Sequence, residues 1–148
     1  MAEIKKFLLT DDDKDDRELF SEALYSVDPS IICQGAEHGR DALRLLTGNG
    51  IVKPDLIFID INMPVMDGWE LLNTIKKDDD CHDIPVIIYT TSSEERDRQI
   101  AKDLGALCFV TKPDDFRRVK NMLQVIVNNM RKNSLSSVCR DIEKVLAS

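Results

Sequence analysis

Leu56-Ile57-Phe58-Ile59-Asp60-Ile61-Asn62-Met63-Pro64 is the stretch that decides the fold. Four consecutive large apolar residues have the length and branching of a strand buried on both faces. The run stops on a single carboxylate and breaks into a turn through Asn62, Pro64, Asp67 and Gly68. A strand of this kind belongs to a sheet covered by helices on both sides. Its carboxyl end lies at the edge where open α/β sheets keep their ligand crevices. Asp60 is therefore the candidate reactive residue.

The flanking sequence repeats the theme. Upstream, residues 4–10 form a short apolar strand that runs into Asp11-Asp12-Asp13. A helix follows with Leu19, Phe20, Ala23, Leu24 and Val27 on one face, and it stops near Asp28-Pro29. Residues 31–34 read as a brief second strand, and residues 39–46 as a helix ended by Gly48-Asn49-Gly50. Downstream, Trp69, Leu72 and Ile75 mark the inner face of a third helix. Residues 85–90 form a fourth buried strand. The next helix starts near Ser93 and carries only a thin stripe, Ile100, Ala101 and Leu104, so it is weakly held. Residues 107–110 are a fifth strand, stopped by Thr111-Lys112-Pro113. Phe116, Val119, Leu123, Ile126, Val127 and Met130 form a strongly amphipathic fifth helix. Five strands alternating with five helices predict an α/β fold, a doubly wound parallel sheet with right-handed crossovers.

Composition narrows the function classes. The chain has 148 residues, 43% hydrophobic and 32% charged, which suits one soluble domain with a proper core. A formal charge of −7 argues against nucleic acid and anionic membrane surfaces as partners. Neither a signal peptide nor a transmembrane run is present, and a reducing cytoplasm fits the sequence. Cys33, Cys81, Cys108 and Cys139 are spaced too widely to suggest a zinc clip or a redox pair. Cys33 and Cys108 sit in apolar, strand-like contexts and read as buried thiols. His38 and His82 are isolated and are assigned no role.

The chemistry lies at the strand ends. Strands one, three, four and five end in Asp11-Asp12, Asp60, Thr90 and Lys112. A parallel sheet brings these ends to one edge, so three carboxylates, a hydroxyl and an ammonium converge. Three carboxylates in a partly desolvated cleft repel one another, and a divalent cation relieves that repulsion. An oxygen-only donor set with few protein groups suits Mg²⁺. A strand-end carboxylate beside a metal and a lysine is a reasonable nucleophile towards phosphorus. Taken singly, Asp12, Asp13 or Asp15 reads as a helix cap, Thr90 as a strand end and Lys112 as a loop lysine. Their joint placement at four separate strand ends is what points to chemistry.

These motifs carry a family resemblance. Thr10-Asp11-Asp12-Asp13, Asp60-Ile61-Asn62-Met63-Pro64 with Asp67-Gly68, Tyr89-Thr90-Thr91, and Lys112-Pro113 resemble the receiver domain of bacterial two-component response regulators. The resemblance spans roughly residues 5–130. It implies a flavodoxin-like (βα)5 fold with strand order 2-1-3-4-5. It also implies that Asp60 is the phosphoacceptor, charged by a histidine kinase or a phosphotransfer protein. By the same resemblance, Asp11, Asp12, Asp60 and the carbonyl of Asn62 hold Mg²⁺, while Thr90 and Lys112 bind phosphoryl oxygens. Phe109 matches the aromatic switch position that moves inward with Thr90. A cis Lys112–Pro113 peptide is implied too. Asn62 and Ser92, two residues after Asp60 and Thr90, flank the path of an attacking water and are assigned to tuning of phosphoryl lifetime.

Residues 1–130 make the receiver unit in this reading, and residues 131–148 a helical extension too short for a DNA-binding domain. Its stripe of Leu135, Val138, Ile142 and Val145 admits three placements: a longer fifth helix, docking on the domain, or pairing in a homodimer. Residues 47–53 and 76–84 resemble the single-domain regulators associated with phytochromes. The expected output is a protein target met through the fourth helix, fifth strand and fifth helix. Three other readings compete with this one. A Mg²⁺-dependent aspartyl phosphatase of the haloacid-dehalogenase type wants a second acid two residues after the nucleophile, where this chain has Asn62. A pseudo-receiver would have lost one of the key acids, the threonine or the lysine. A flavodoxin-like cofactor binder is disfavoured, because no phosphate-binding loop follows the first strand.

Overall fold

The computed structural model describes residues 3–147. Its elements are β1 (Lys6–Thr10), α1 (Lys14–Val27), β2 (Ile32–Ala36), α2 (Gly39–Leu46), β3 (Leu56–Ile59), α3 (Gly68–Lys77), β4 (Val86–Thr90), α4 (Glu95–Asp103), β5 (Cys108–Thr111), α5 (Phe116–Arg131) and α6 (Val138–Ala147). A 3-10 turn, Leu135–Ser137, links the last two helices. The five strands are all parallel in the order 2-1-3-4-5, as the resemblance implies.

Alternation along the central strands builds two cores. Phe7, Leu9, Phe58, Ile87 and Tyr89 face α1, α5 and α6. Leu8, Ile57, Ile59, Val86 and Ile88 face α2, α3 and α4. All four residues of β3 are buried, which explains their unbroken apolar run. Phe20 packs edge-on against Phe58 at 4.8 Å, and Phe58 against Tyr89 at 6.0 Å, so an aromatic layer underlies the strand ends.

Caps fix where the helices start. Asp13, Asp67 and Asp115 each accept a backbone N–H from the first turn of α1, α3 and α5. His38, which has no role in the sequence reading, caps α2 through Nδ1, 3.1 Å from the Asp41 amide. The α4 helix starts at Glu95, slightly later than its sequence pattern predicts. Glu94 at its N-cap makes no side-chain bond, and only Asp97 and Ala101 of the helix are buried. The sequence reading of α4 as weakly held matches this packing.

The C-terminal stripe docks on the domain. Val138 and Ile142 are buried in the same core as Val127 and Met130. Buried Asn129 organises the α5–α6 corner: its Oδ1 accepts from Ser134 Oγ (2.9 Å) and Ser137 Oγ (3.0 Å), and its Nδ2 donates to Asp141 (3.2 Å).

Two sequence expectations are corrected here. Cys108 is not a buried free thiol: it forms a disulfide with Cys139, 31 residues away, joining β5 to α6. Sequence spacing gave no sign of this pair because the α5–α6 turn, not local sequence, brings the two together. Closing a loop of this length contributes roughly 3–4 kcal/mol in chain-entropy terms. Cys33 and Cys81 are free, and burial pushes the Cys33 thiol up to about 11. The second correction concerns Lys112–Pro113, which is trans, as is every peptide bond among the described residues. Trans is the intrinsically favoured isomer, and with it Lys112 already reaches the carboxylates described below. No helix among the described residues is long and apolar enough to cross a membrane.

Candidate functional site

The carboxyl ends of β1, β3 and β5 meet as the sequence predicts. Asp11 directly follows β1, Asp60 follows β3 and Lys112 follows β5. The sheet register sets their heights: Thr10 pairs with Ile59, and the Asp60 amide donates to the Thr10 carbonyl at 2.9 Å. Asp11 is fully buried and Asp60 nearly so, while Asp12 is exposed at the mouth. Carboxylate oxygens of these three acids lie within 4.8 Å of one another.

Lys112 closes the cluster. Its Nζ stands 2.6 Å from Asp11 Oδ2, 2.8 Å from Asp16 Oδ2 and 3.1 Å from Asp60 Oδ2. Burial works against the ammonium. Its hydrogen bonds to Asp11 and Asp16 outweigh burial and hold its pKa above the ordinary lysine value. Asp11 goes the other way: burial raises its pKa, and Lys112 only partly opposes that. Asp16, in the first turn of α1, is the partner that sequence reasoning missed. Its spacing from Asp11 was visible, but an acid in a first helical turn already has a sufficient explanation in the helix dipole.

Backbone geometry aims Asp60. The Asn62 amide donates to Asp60 Oδ1 at 3.1 Å, leaving Oδ2 towards Lys112. Gly68 permits α3 to start against this strand end. A Cβ there would fall 2.4 Å from the Asp60 carbonyl oxygen and 2.6 Å from Ile61 Cα. Arg17 donates to the Asp11 carbonyl at 2.7 Å, fixing the β1 end from the other side.

The remaining predicted positions line the β4–β5 side. Thr90 is fully buried at the end of β4, and its carbonyl accepts the Lys112 amide at 2.7 Å. Ser92 Oγ donates to Asp97 at 2.6 Å and accepts the Glu94 amide at 3.2 Å, so its hydroxyl is committed to the start of α4. Phe109 is half-buried on β5, with the Arg98 guanidinium 4.9 Å above its ring. Thr111 Oγ1 donates to the Ser92 carbonyl at 2.8 Å, tying β5 to the loop after β4.

The donor set suits a hard divalent cation. It consists of oxygen atoms only, from three acids on two strand ends. Asp11 Oδ2 is buried, and the Lys112 ammonium 2.6 Å away is the contact that balances its charge.

The receiver-domain family model, "Response regulator receiver domain", matches residues 7–124. The chain belongs to the response regulator receiver family. Response regulator Rcp1 of Synechocystis sp. is 34% identical over 128 residues, covering 82% of this chain and 86% of Rcp1. A probable cyclic di-GMP phosphodiesterase of Vibrio cholerae is 32% identical over 128 residues, covering 86% of this chain. The chain spans 28% of the length of that enzyme.

Solved receiver structures agree. The phosphorylated cyanobacterial phytochrome response regulator RcpA superposes with a TM-score of 0.80 at 30% identity, covering 88% of this chain and 96% of RcpA. The Mn(2+)-bound form of Rcp1 gives 0.73 at 32% identity, covering 82% of this chain and 91% of that one. This receiver is therefore a phosphorelay signalling module of a family that binds divalent metal, and it carries an acidic cluster that could hold such an ion.

Proposed function

We propose that this receiver takes a phosphoryl group onto Asp60 from a phosphohistidine of a histidine kinase or phosphotransfer protein. The observation that supports this most directly is the meeting of Asp11, Asp12, Asp60 and Lys112 at one sheet edge. A carboxylate oxygen of Asp60 attacks phosphorus, the P–N bond breaks, and the histidine nitrogen leaves with the bonding pair and is protonated. Asp11, Asp12, Asp60 and the Asn62 carbonyl would hold Mg²⁺, whose charge offsets the carboxylates and the arriving phosphoryl oxygens.

Before transfer, the Lys112 ammonium is held in ion pairs with three acids. After transfer, the added negative charge on Asp60 draws Lys112 and the Thr90 hydroxyl towards it. Thr90 and Phe109 act as the switch pair. Movement of Thr90 pulls the loop after β4, and Phe109 follows inward past Arg98. The α4–β5–α5 surface then presents a changed face to a downstream protein, with a second copy of this chain as one candidate partner. Weak packing of α4 supports its role as the moving part. Asn62 and Ser92 tune phosphoryl lifetime, Ser92 through its hold on α4.

We place residues 1–130 in the receiver unit and residues 131–148 in a helical extension. The protein acts as a signalling phosphoacceptor rather than an enzyme, and in the cytoplasm, where ATP-charged kinases supply phosphoryl groups. Intact mass after incubation with acetyl phosphate and Mg²⁺ tests the reading. One added phosphoryl group is expected, absent without Mg²⁺ and absent in Asp60→Asn. Continuous turnover of small phosphoesters would favour the phosphatase alternative.

A further inference from the structure

Among the described residues β5 is an edge strand, paired with β4 alone. It is four residues long, and Lys112 follows it directly. Within that short segment lie Cys108, bonded to α6; Phe109, under Arg98; and Thr111, tied to the loop after Thr90. A covalent link from α6 thus reaches the same strand that carries the switch aromatic and ends at the phosphoryl-binding lysine.

Both cysteines of the pair border one groove. A groove of about 630 Å³ runs between α4, β5 and α6, and Cys108 and Cys139 both line it. Arg98, Lys102 and Arg118 also line it, so an approaching thiolate meets favourable charge. When the bond opens, α6 keeps its anchors: Val138 and Ile142 in the core, and Asp141 on Asn129. The two thiols stay close enough to rejoin. Leu107 offers its carbonyl oxygen 2.9 Å from Cys139 Sγ as an acceptor for the new S–H.

We propose that the Cys108–Cys139 disulfide is a reversible redox site, exchanged by a dithiol reductant entering through this groove, whose opening frees β5 to follow the phosphorylated site. The reductant thiolate attacks one sulfur, the S–S bond breaks, and a mixed disulfide forms. The second reductant thiol resolves it. Cys108 and Cys139 gain two electrons and two protons, and the reductant leaves as its own disulfide. The coupling to phosphorylation rests on the phosphoacceptor reading above. The redox site does not.

The test uses the full chain with dithiothreitol as the dithiol. Alkylation under denaturing conditions should modify two cysteines before reduction, Cys33 and Cys81, and four after. Reduction should speed amide exchange in β5 and along α6. In the presence of Mg²⁺ it should tighten beryllofluoride binding at least about fivefold, the lower end of ordinary allosteric couplings. Cys139→Ser should match the reduced protein and ignore dithiothreitol. Four reactive thiols before reduction, or unchanged exchange after it, would overturn the redox site. Equal beryllofluoride affinity in both states would overturn the coupling alone. Failure of either form to bind beryllofluoride would count against the phosphoacceptor reading, and alkylation and exchange would still decide the redox site.

Discussion

Asp16 holds the Lys112 ammonium at 2.8 Å, nearer than Asp60 does at 3.1 Å. The lysine that in the proposed function reaches a phosphoryl group on Asp60 is thus partly engaged by an acid on α1. Asp16 is about a third exposed, so the pair is partly screened and contributes within the 0.2–1 kcal/mol typical of such contacts. Asp16→Asn is expected to tighten beryllofluoride binding by about 1.5- to 5-fold, the same range expressed as affinity. Titration calorimetry reads it directly. Weaker binding in the variant would mean that Asp16 positions the lysine for the phosphoryl group instead of competing for it.

Lys112 has the larger structural task. Removing it leaves buried Asp11 and Asp60 beside each other with no cation. Loss of one partner from a buried ion pair costs roughly 3–5 kcal/mol. Lys112→Ala should lose most of that in chelator, and millimolar Mg²⁺ should restore more stability to the variant than to the parent protein. Urea denaturation with and without Mg²⁺ makes the comparison. Equal Mg²⁺ stabilisation of both proteins would argue against a shared role for lysine and metal in balancing these acids.

Gly68 links helix packing to the site. An alanine methyl there would press on backbone atoms of Asp60 and Ile61, which cannot rotate away. Overpacking of this kind costs about 1–3 kcal/mol. Gly68→Ala is expected to lose that stability and to weaken Mg²⁺ binding together, because the strand end carrying Asp60 must shift. Unchanged Mg²⁺ affinity in a destabilised variant would show that the strain escapes through α3 instead.

Asn62 and Ser92 were assigned the same task from sequence, yet their surroundings differ. The Asn62 side chain is exposed beside Asp60, whereas the Ser92 hydroxyl is bonded to Asp97 and Glu94. Asn62→Ala should therefore change the aspartyl-phosphate decay rate severalfold, within the 10²–10⁴-fold ceiling of positioned proton-transfer groups. Ser92→Ala should change decay less and raise amide exchange at the start of α4. Equal decay rates for Asn62→Ala and the parent protein would remove Asn62 from lifetime control.

The sheet was legible in the sequence because its strands are buried on both faces: β3 and β4 write themselves as unbroken apolar runs. The meeting of Asp11, Asp60 and Lys112 was legible because strand ends in a parallel sheet share an edge. Asp16 was hidden among acids that a helix start explains equally well. The Cys108–Cys139 bond was hidden because its closure depends on the corner that Asn129 organises, where Asn133 takes a φ of 54°. The isomer of Lys112–Pro113 was misread from resemblance, since nothing in the two residues themselves favours cis. In each case the missed feature depends on where a distant segment lies, which periodicity does not carry.

Asp28 offers a test of pH dependence away from the acidic cluster. It ends α1, accepts from Ser30 N at 2.9 Å and Ser30 Oγ at 2.6 Å, and pairs with Arg131 of α5. The Ser30 hydrogen bonds, helped by Arg131, hold its carboxyl below the usual value near 3.9. A group whose folded pKa is depressed adds stability that is fully present above the unfolded value. That stability is lost as pH falls through the lower folded value. Asp28→Asn keeps the shape but not the charge, and at pH 7 it should cost about 1–2 kcal/mol, as loss of hydrogen bonds to a charged group does. The gap between variant and parent should narrow as pH falls below the ordinary carboxylate range towards the depressed folded value, where the parent carboxyl also becomes neutral. Denaturant midpoints at pH 7, 5 and 3 measure it. A gap that persists unchanged at pH 3 would assign the loss to geometry at the helix end, and the charge of Asp28 would then have no part in joining α1 to α5.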